Sequence, residues 1–151
     1  MRAQQSGRII VIGSIGGLIG LPFVSYYSAA KFALDGMVEA LRAEIRPFGI
    51  QATIVHPGDL NTSFGVNRIF ARNIDAAPAY ADASRQALEH YQRQEYNAPG
   101  PAGLARAVIK LMSRRSMPVR VIVGSPLERL GDAEHLPLPR SQMPGMRLVI
   151  G

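Results

Sequence analysis

The sequence has no cysteine. A disulfide scaffold, a thiolate zinc site and a cysteine nucleophile are thereby excluded. It has very little lysine: of 17 basic residues only Lys31 and Lys110 are lysines, and the rest are arginines. Against 11 acidic residues this gives a formal net charge of +6, a balance that can indicate nucleic acid or an anionic membrane as partner. The arginines are scattered, however. Their tightest cluster is Arg114, Arg115 and Arg120, and no aromatic residues interleave with a basic run. Nucleic acid is therefore not an expected partner. No apolar stretch approaches the roughly 20 residues of a membrane span. The opening residues hold an apolar run of only four, residues 9–12, followed by glycine, so neither a secretory signal nor a membrane span is expected. The expected location is the cytoplasm. His56, His90 and His135 lie far apart and lack metal-ligand spacing, so no metal is expected.

What is present is a core. The 151 residues are 47% hydrophobic, which suits one domain. Ile9, Ile10, Val11 and Ile12 form a β-branched run ended by Gly13-Ser14. Such a run predicts a central parallel strand, over 8–13, covered on both faces. Gly16, Gly17, Gly20 and Pro22 then impose a loop. From 25 to 48 the period turns helical: Leu34, Met37, Val38, Leu41 and Ile45 share an apolar stripe, and Asp35, Glu39, Arg42 and Arg46 a charged one. Ser25 suits an N-cap and Gly49 a left-handed C-cap. A second strand is expected over 51–56, closed by Pro57-Gly58, giving a βαβ unit with parallel strands. Residues 59–78 have the character of a long loop. Polar but helix-permissive sequence runs from 78 to 97 and suits a solvated face or a substrate lid. A further helix is expected over 102–113 and a third strand over 119–123. The tail, 125–151, is crowded with proline and glycine and is expected to be irregular.

Chemistry enters with Tyr27 and Lys31. Four residues apart, they share one helix face. At about 100° per residue from Tyr27, Lys31 falls near 40°, Val38 near 20° and Ile45 near 0°, so the pair flanks the apolar stripe. A phenol ionises near pH 10 and is a poor acid or base at neutrality. A nearby ammonium favours the phenolate and lowers that value, which would let the tyrosine exchange a proton with an alcohol or carbonyl oxygen. Ser14 ends the first strand and Pro57-Gly58 the second, with Thr62 beyond. In open α/β sheets ligands bind outside those carboxyl ends.

The strings G-R-I-I-V-I-G-S, Y-S-A-A-K and H-P-G-D-L-N-T resemble the short-chain dehydrogenase/reductase (SDR) family. The resemblance covers about residues 7–66 and continues loosely to Gly124, where V-R-V-I-V-G is similar to the family's last core strand. It implies an α/β fold, a partial doubly wound, Rossmann-type parallel sheet made of the last three core strands with flanking helices. It implies an NAD(P)-dependent oxidoreductase that interconverts an alcohol and a carbonyl. Ser14 would orient the oxygen, Tyr27 exchange the proton, and Lys31 hold the nicotinamide ribose and lower the Tyr27 pKa. Pro57, Gly58, Leu60 and Thr62 would join Tyr27 and Lys31 in binding NAD or NADP, with NADP favoured.

The sequence departs from the family at its front. No T-G-x-x-x-G-x-G dinucleotide turn precedes the first strand, and no N-A-G strand is present. The expectation is that residues 1–124 are the C-terminal half of an SDR Rossmann domain, without its nucleotide-binding half and inactive alone. Two alternatives stand beside this: a non-catalytic fragment that pairs with another chain, and a sugar-nucleotide epimerase or dehydratase, which shares Y-x-x-x-K. A flat apolar edge at 8–13 would favour a homo-oligomer or an edge-pairing partner. His56 is expected to be a structural imidazole.

Overall fold

The computed structural model describes residues 1–70, 77–124 and, as backbone, 146–148. Four parallel strands lie side by side in the order β1 (Gly7–Ile12), β2 (Ile50–Pro57), β3 (Arg120–Val123) and β4 (Met146–Leu148). Three helices connect or cover them: α1 (Ser25–Ile45), α2 (Pro78–Asn97) and α3 (Ala102–Met112). The α/β reading and the parallel sheet hold. A fourth strand was not expected: Met146–Leu148 lies in the stretch read as irregular, and pairs with β3 from Arg120↔Met146 to Ile122↔Leu148. The rest of that stretch, 125–145 and 149–151, falls outside the described residues.

Alternation along the strands sorts the core into two layers, because successive side chains point to opposite faces. Ile9, Val11, Ala52 and Ile54 meet Val38, Leu34, Leu41 and Ile45 of α1. Ile10, Val55, Val121 and Val123 meet Leu104, Ala107 and Leu111 of α3. Met37, assigned to the apolar stripe, is instead half exposed. The charged stripe is divided: Glu39 and Arg46 are exposed, whereas Asp35 and Arg42 are covered at least in part. Arg42 donates to the carbonyls of Ala52, Met117 and Pro118, and Asp35 is buried.

The fully covered strand is β2, buried at every position but Gln51. β1 is only partly covered, and Ile12 is 42% exposed. The run 9–12 is as apolar as a central strand, yet β1 has a neighbour, β2, on one side only among the described residues. An edge position leaves one flank of each side chain open, whatever the composition. Ser25 opens α1 but gives it no side-chain cap. Gly49 follows the 3-10 turn after α1 with φ of 64°, and a Cβ there would lie 2.4 Å from the Gln5 carbonyl oxygen. Only glycine fits both constraints. Among the described residues no helix is long and apolar enough to cross a membrane.

Candidate active site

β1 delivers Ser14 to the carboxyl edge of the sheet. Its backbone is extended, and it caps a single 3-10 turn, Ile15–Gly17, with Oγ accepting from the Gly16 N–H at 3.0 Å. That bond occupies an acceptor site of the hydroxyl and leaves its hydrogen free to donate elsewhere. The turn presses on α1. A Cβ on Gly16 would stand 3.0 Å from the Tyr27 ring, and one on Gly17 would stand 2.9 Å from the Lys31 main chain. Gly17→Ala is therefore expected to destabilise by about 1–3 kcal/mol through overpacking. Gly20→Ala, with nothing within 4 Å, should fall within about 0.5 kcal/mol of wild type. Denaturant melts of the two variants check this, and equal stability would contradict the packing described.

Tyr27 stands in the first turns of α1, beside Ser14. Its ring lies 5.9 Å from that of Phe64. Burial pushes its pKa above the ordinary value. A hydrogen bond with the Ser14 side chain pulls it back, the Glu95 and Asp59 carboxylates push it further up, and Arg68 opposes them. Lys31 is not among these causes, and the net direction is upward, where a lowering by Lys31 was expected. The Lys31 Nζ lies 5.7 Å from the centre of the Tyr27 ring and donates to the Ile12 carbonyl at 3.3 Å. Burial lowers the pKa of the lysine itself. Burial of the phenol thus dominates over any charge brought near it. Ser14, Tyr27 and Lys31 are nevertheless brought to one place, where β1 ends against the start of α1.

Pro57 and Gly58 close β2 at the same edge, with the Gly58 N–H on the Val123 carbonyl at 3.0 Å. Thr62 is exposed, and its hydroxyl accepts from the Phe64 N–H at 3.2 Å. Pro57, Gly58, Leu60, Thr62 and Lys31 do not line the cavity that Ser14 and Tyr27 face.

That cavity has a volume of about 770 Å³. Its walls are Leu21, Phe23 and Val24 after the 3-10 turn, Phe64 and residues 67–70 after β2, and one face of α2. Tyr80, Ser84, Leu88, Tyr91 and Glu95 recur every three or four residues along α2 and make that face. The sequence reading missed these residues as a set. Their spacing was visible, but the stripe mixes aromatic, aliphatic and polar types and so has no hydrophobic signature. The Tyr91 hydroxyl donates to the Pro22 carbonyl at 3.1 Å. This fastens α2 to a strained turn, in which Phe23 holds a φ of 61°. Arg68 Nη2 pairs with Glu95 Oε1 at 2.7 Å, and Arg68 Nη1 is buried without a hydrogen-bond partner among the described residues. No cluster among the described residues could hold a metal ion.

Residues 1–72 match the short chain dehydrogenase family model. The 3-ketodihydrosphingosine reductase of Bacteroides thetaiotaomicron is 38% identical over 143 residues, which are 95% of this chain and 53% of that protein. The chain is similar, over these stretches, to short-chain dehydrogenases/reductases. Human 17-beta-hydroxysteroid dehydrogenase type 1 is 45% identical over 64 residues, 42% of this chain and 20% of that one. Among solved structures, a short-chain dehydrogenase from Streptomyces avermitilis aligns with a TM-score of 0.65 at 31% identity, over 89% of this chain and 50% of that one. An SDR from Burkholderia phymatum, solved in complex with NAD, aligns over 100% of this chain and 54% of its own with a TM-score of 0.67. At 17% identity it speaks to the fold alone. The chain spans about half the length of the Bacteroides relative and of both aligned structures.

Proposed function

We propose that residues 1–124 are the catalytic half of an SDR Rossmann domain, and that they carry the proton-transfer centre of an NAD(P)-dependent alcohol–carbonyl oxidoreductase. One observation carries this reading: Tyr27, hydrogen-bonded with the Ser14 side chain, faces a large apolar cavity with Lys31 directly behind it. A phenol whose pKa is raised keeps its proton at neutral pH, and so suits the donor role in carbonyl reduction. Ser14 turns its hydroxyl hydrogen from the Tyr27 oxygen to the substrate oxygen. Tyr27 gives that oxygen its proton, and the carbonyl would become an alcohol with a hydride on its carbon from the nicotinamide. Lys31 has three ammonium donors, of which one is directed at the Ile12 carbonyl. The others suit a ribose diol, so the residues present fit the nicotinamide end of NAD or NADP. That group supplies hydride transfer when bound. Pro57, Gly58, Leu60 and Thr62 would lie along the same edge. No residue here selects between the two cofactors.

The substrate fits the cavity as an apolar ketone or alcohol with a second polar group. The aromatic and aliphatic walls suit an apolar body. Arg68 Nη1, without a partner among the described residues, asks for an acceptor, since a buried donor left unpaired costs about 1–3 kcal/mol. The relatives named for 3-ketodihydrosphingosine and for 17-beta-hydroxysteroids agree with that class.

The test is a chimera in which this chain replaces the aligned segment of the Bacteroides reductase. It is expected to oxidise NADPH or NADH with an apolar ketone, and to be much slower with acetone. Failure with every ketone, in a chimera that folds and binds the cofactor, would overturn the reading.

The outer edge of β1, unpaired among the described residues, supports a second proposal: the chain by itself pairs with another strand there, as a homo-oligomer or with a partner chain. Ile9, Ile10, Val11 and Ile12 offer a flat apolar edge without proline or inward charge. The tail strand β4 sits beside β3, at the opposite edge of the sheet. Size-exclusion chromatography is expected to show self-association. A monodisperse monomer with strongly protected amides at 9–12 would contradict it.

A further inference from the structure

Behind Ser14 lies a buried cluster that the proton-transfer chemistry does not use. His56, near the end of β2, is fully buried. Its Nδ1 lies 2.8 Å from the Ser14 carbonyl oxygen, and its Nε2 lies 3.1 Å from Asp35 Oδ1. A carbonyl oxygen only accepts, so the contact with Ser14 places a hydrogen on Nδ1. Asp35 is fixed in turn. Arg120 Nε reaches its two oxygens at 3.0 and 2.7 Å, and Arg120 Nη2 reaches Oδ2 at 2.5 Å. The same Nη2 reaches Glu39 Oε1 at 2.8 Å. The charged groups around His56 are thus Asp35 and Glu39 from α1 and Arg120 from β3, while the end of β1 offers it only main chain. Gly13 makes room there, since a Cβ at that position would stand 3.0 Å from Nδ1.

We infer that His56 is a positioning residue for Ser14: its Nδ1–H fixes the Ser14 carbonyl, and Asp35, clamped by Arg120, fixes the ring. The inference rests on the role proposed above for Ser14. The Ser14 residue is held at two points, its carbonyl by His56 and its Oγ by the Gly16 N–H. With both points tied, the hydroxyl hydrogen can sweep only toward Tyr27 and the cavity. Rotation of the imidazole would break two hydrogen bonds at once in a site without water access, which is costly. β2, β3 and α1 therefore share in aiming one hydroxyl at the end of β1.

The test needs neither cofactor nor turnover. The ring Cζ resonance of Tyr27, in the full chain labelled with ¹³C-tyrosine at pH 7, reports the hydrogen bond at its phenol. It is assigned by its loss in Tyr27→Phe. Ser14→Ala is expected to displace it. His56→Leu is expected to displace it in the same direction and to a similar extent, with the Tyr91 resonance unmoved as the mark of an intact fold. His56→Asn is expected to restore the wild-type position, because its amide N–H can take the place of Nδ1–H. A wild-type Tyr27 resonance in His56→Leu, beside a displaced one in Ser14→Ala, would overturn the inference and leave the proposed site standing. No displacement in Ser14→Ala would remove the site itself, and the inference with it. Should His56→Leu fail to fold, ¹⁵N spectra of the wild-type ring decide: a hydrogen on Nδ1 supports the inference, and a bare Nδ1 overturns it.

Discussion

Tyr27→Phe, in the chimera with the Bacteroides reductase, is expected to lower kcat by about two to four orders of magnitude while cofactor affinity stays near wild type. The substitution removes one oxygen and leaves the ring, and with it the contact to Phe64 at 5.9 Å. What is lost is the group beside Ser14 that is proposed to hand a proton to the substrate oxygen. Lys31→Ala should behave differently. Its ammonium lies behind the Tyr27 ring and on the Ile12 carbonyl, so its loss should weaken cofactor binding as well as turnover. The contrast separates a proton donor from a binding group. If Tyr27→Phe kept most of its kcat, with Lys31→Ala equally mild, Tyr27 would be a packing residue.

The largest effect on stability is expected at Asp35. Its carboxylate and the Arg120 guanidinium are both about 13% exposed and joined by three hydrogen bonds. Asp35→Ala would leave Arg120 facing Glu39 alone and would strip His56 of its Nε2 partner. Removing one member of a buried pair costs about 3–5 kcal/mol, because the other charge stays buried without compensation. Asp82 and Arg85 on α2 form the matching control. They are 83% and 64% exposed, and Asp82→Ala should cost no more than about 0.5 kcal/mol. Denaturant unfolding of both variants at neutral pH measures the difference. A cost below about 1 kcal/mol for Asp35→Ala would mean that Arg120 finds solvent or another partner, and the cluster would not be the clamp described.

The order of elements was legible in the residues because each has a strong local signal. The β-branched run at 9–12, the stripe of Leu34, Val38, Leu41 and Ile45, the Pro47 and Gly49 stop, and the run ending at His56 need only neighbours in sequence to be recognised. Tyr27 and Lys31 were legible for the same reason, since a spacing of four on a helix already fixes a shared face. Helix geometry also held an unused clue. At about 100° per residue Asp35 falls near 80° from Tyr27 and Arg42 near 60°, on the side of α1 that carries Lys31 and Val38. Placing them on a separate charged stripe followed from their residue type and not from their angle.

The sequence by itself thus determined which segments become strands and helices, that the strands run parallel, and that a phenol and an ammonium share the first turns of α1. Tertiary structure decided everything that depends on the environment of a group. The Tyr27 pKa rises because burial outweighs the charges near it, and burial is the product of Phe64, α2 and the 3-10 turn closing together. β1 is half covered because its neighbours number one among the described residues and not two. Asp35, His56 and Arg120 are 21 and 64 residues apart along the chain, and no local pattern announces them. They meet because α1 crosses the face of β2 just where β3 begins. A charge can stay in that interior only with a partner at hydrogen-bond distance, and only the packing of three elements sets such a distance.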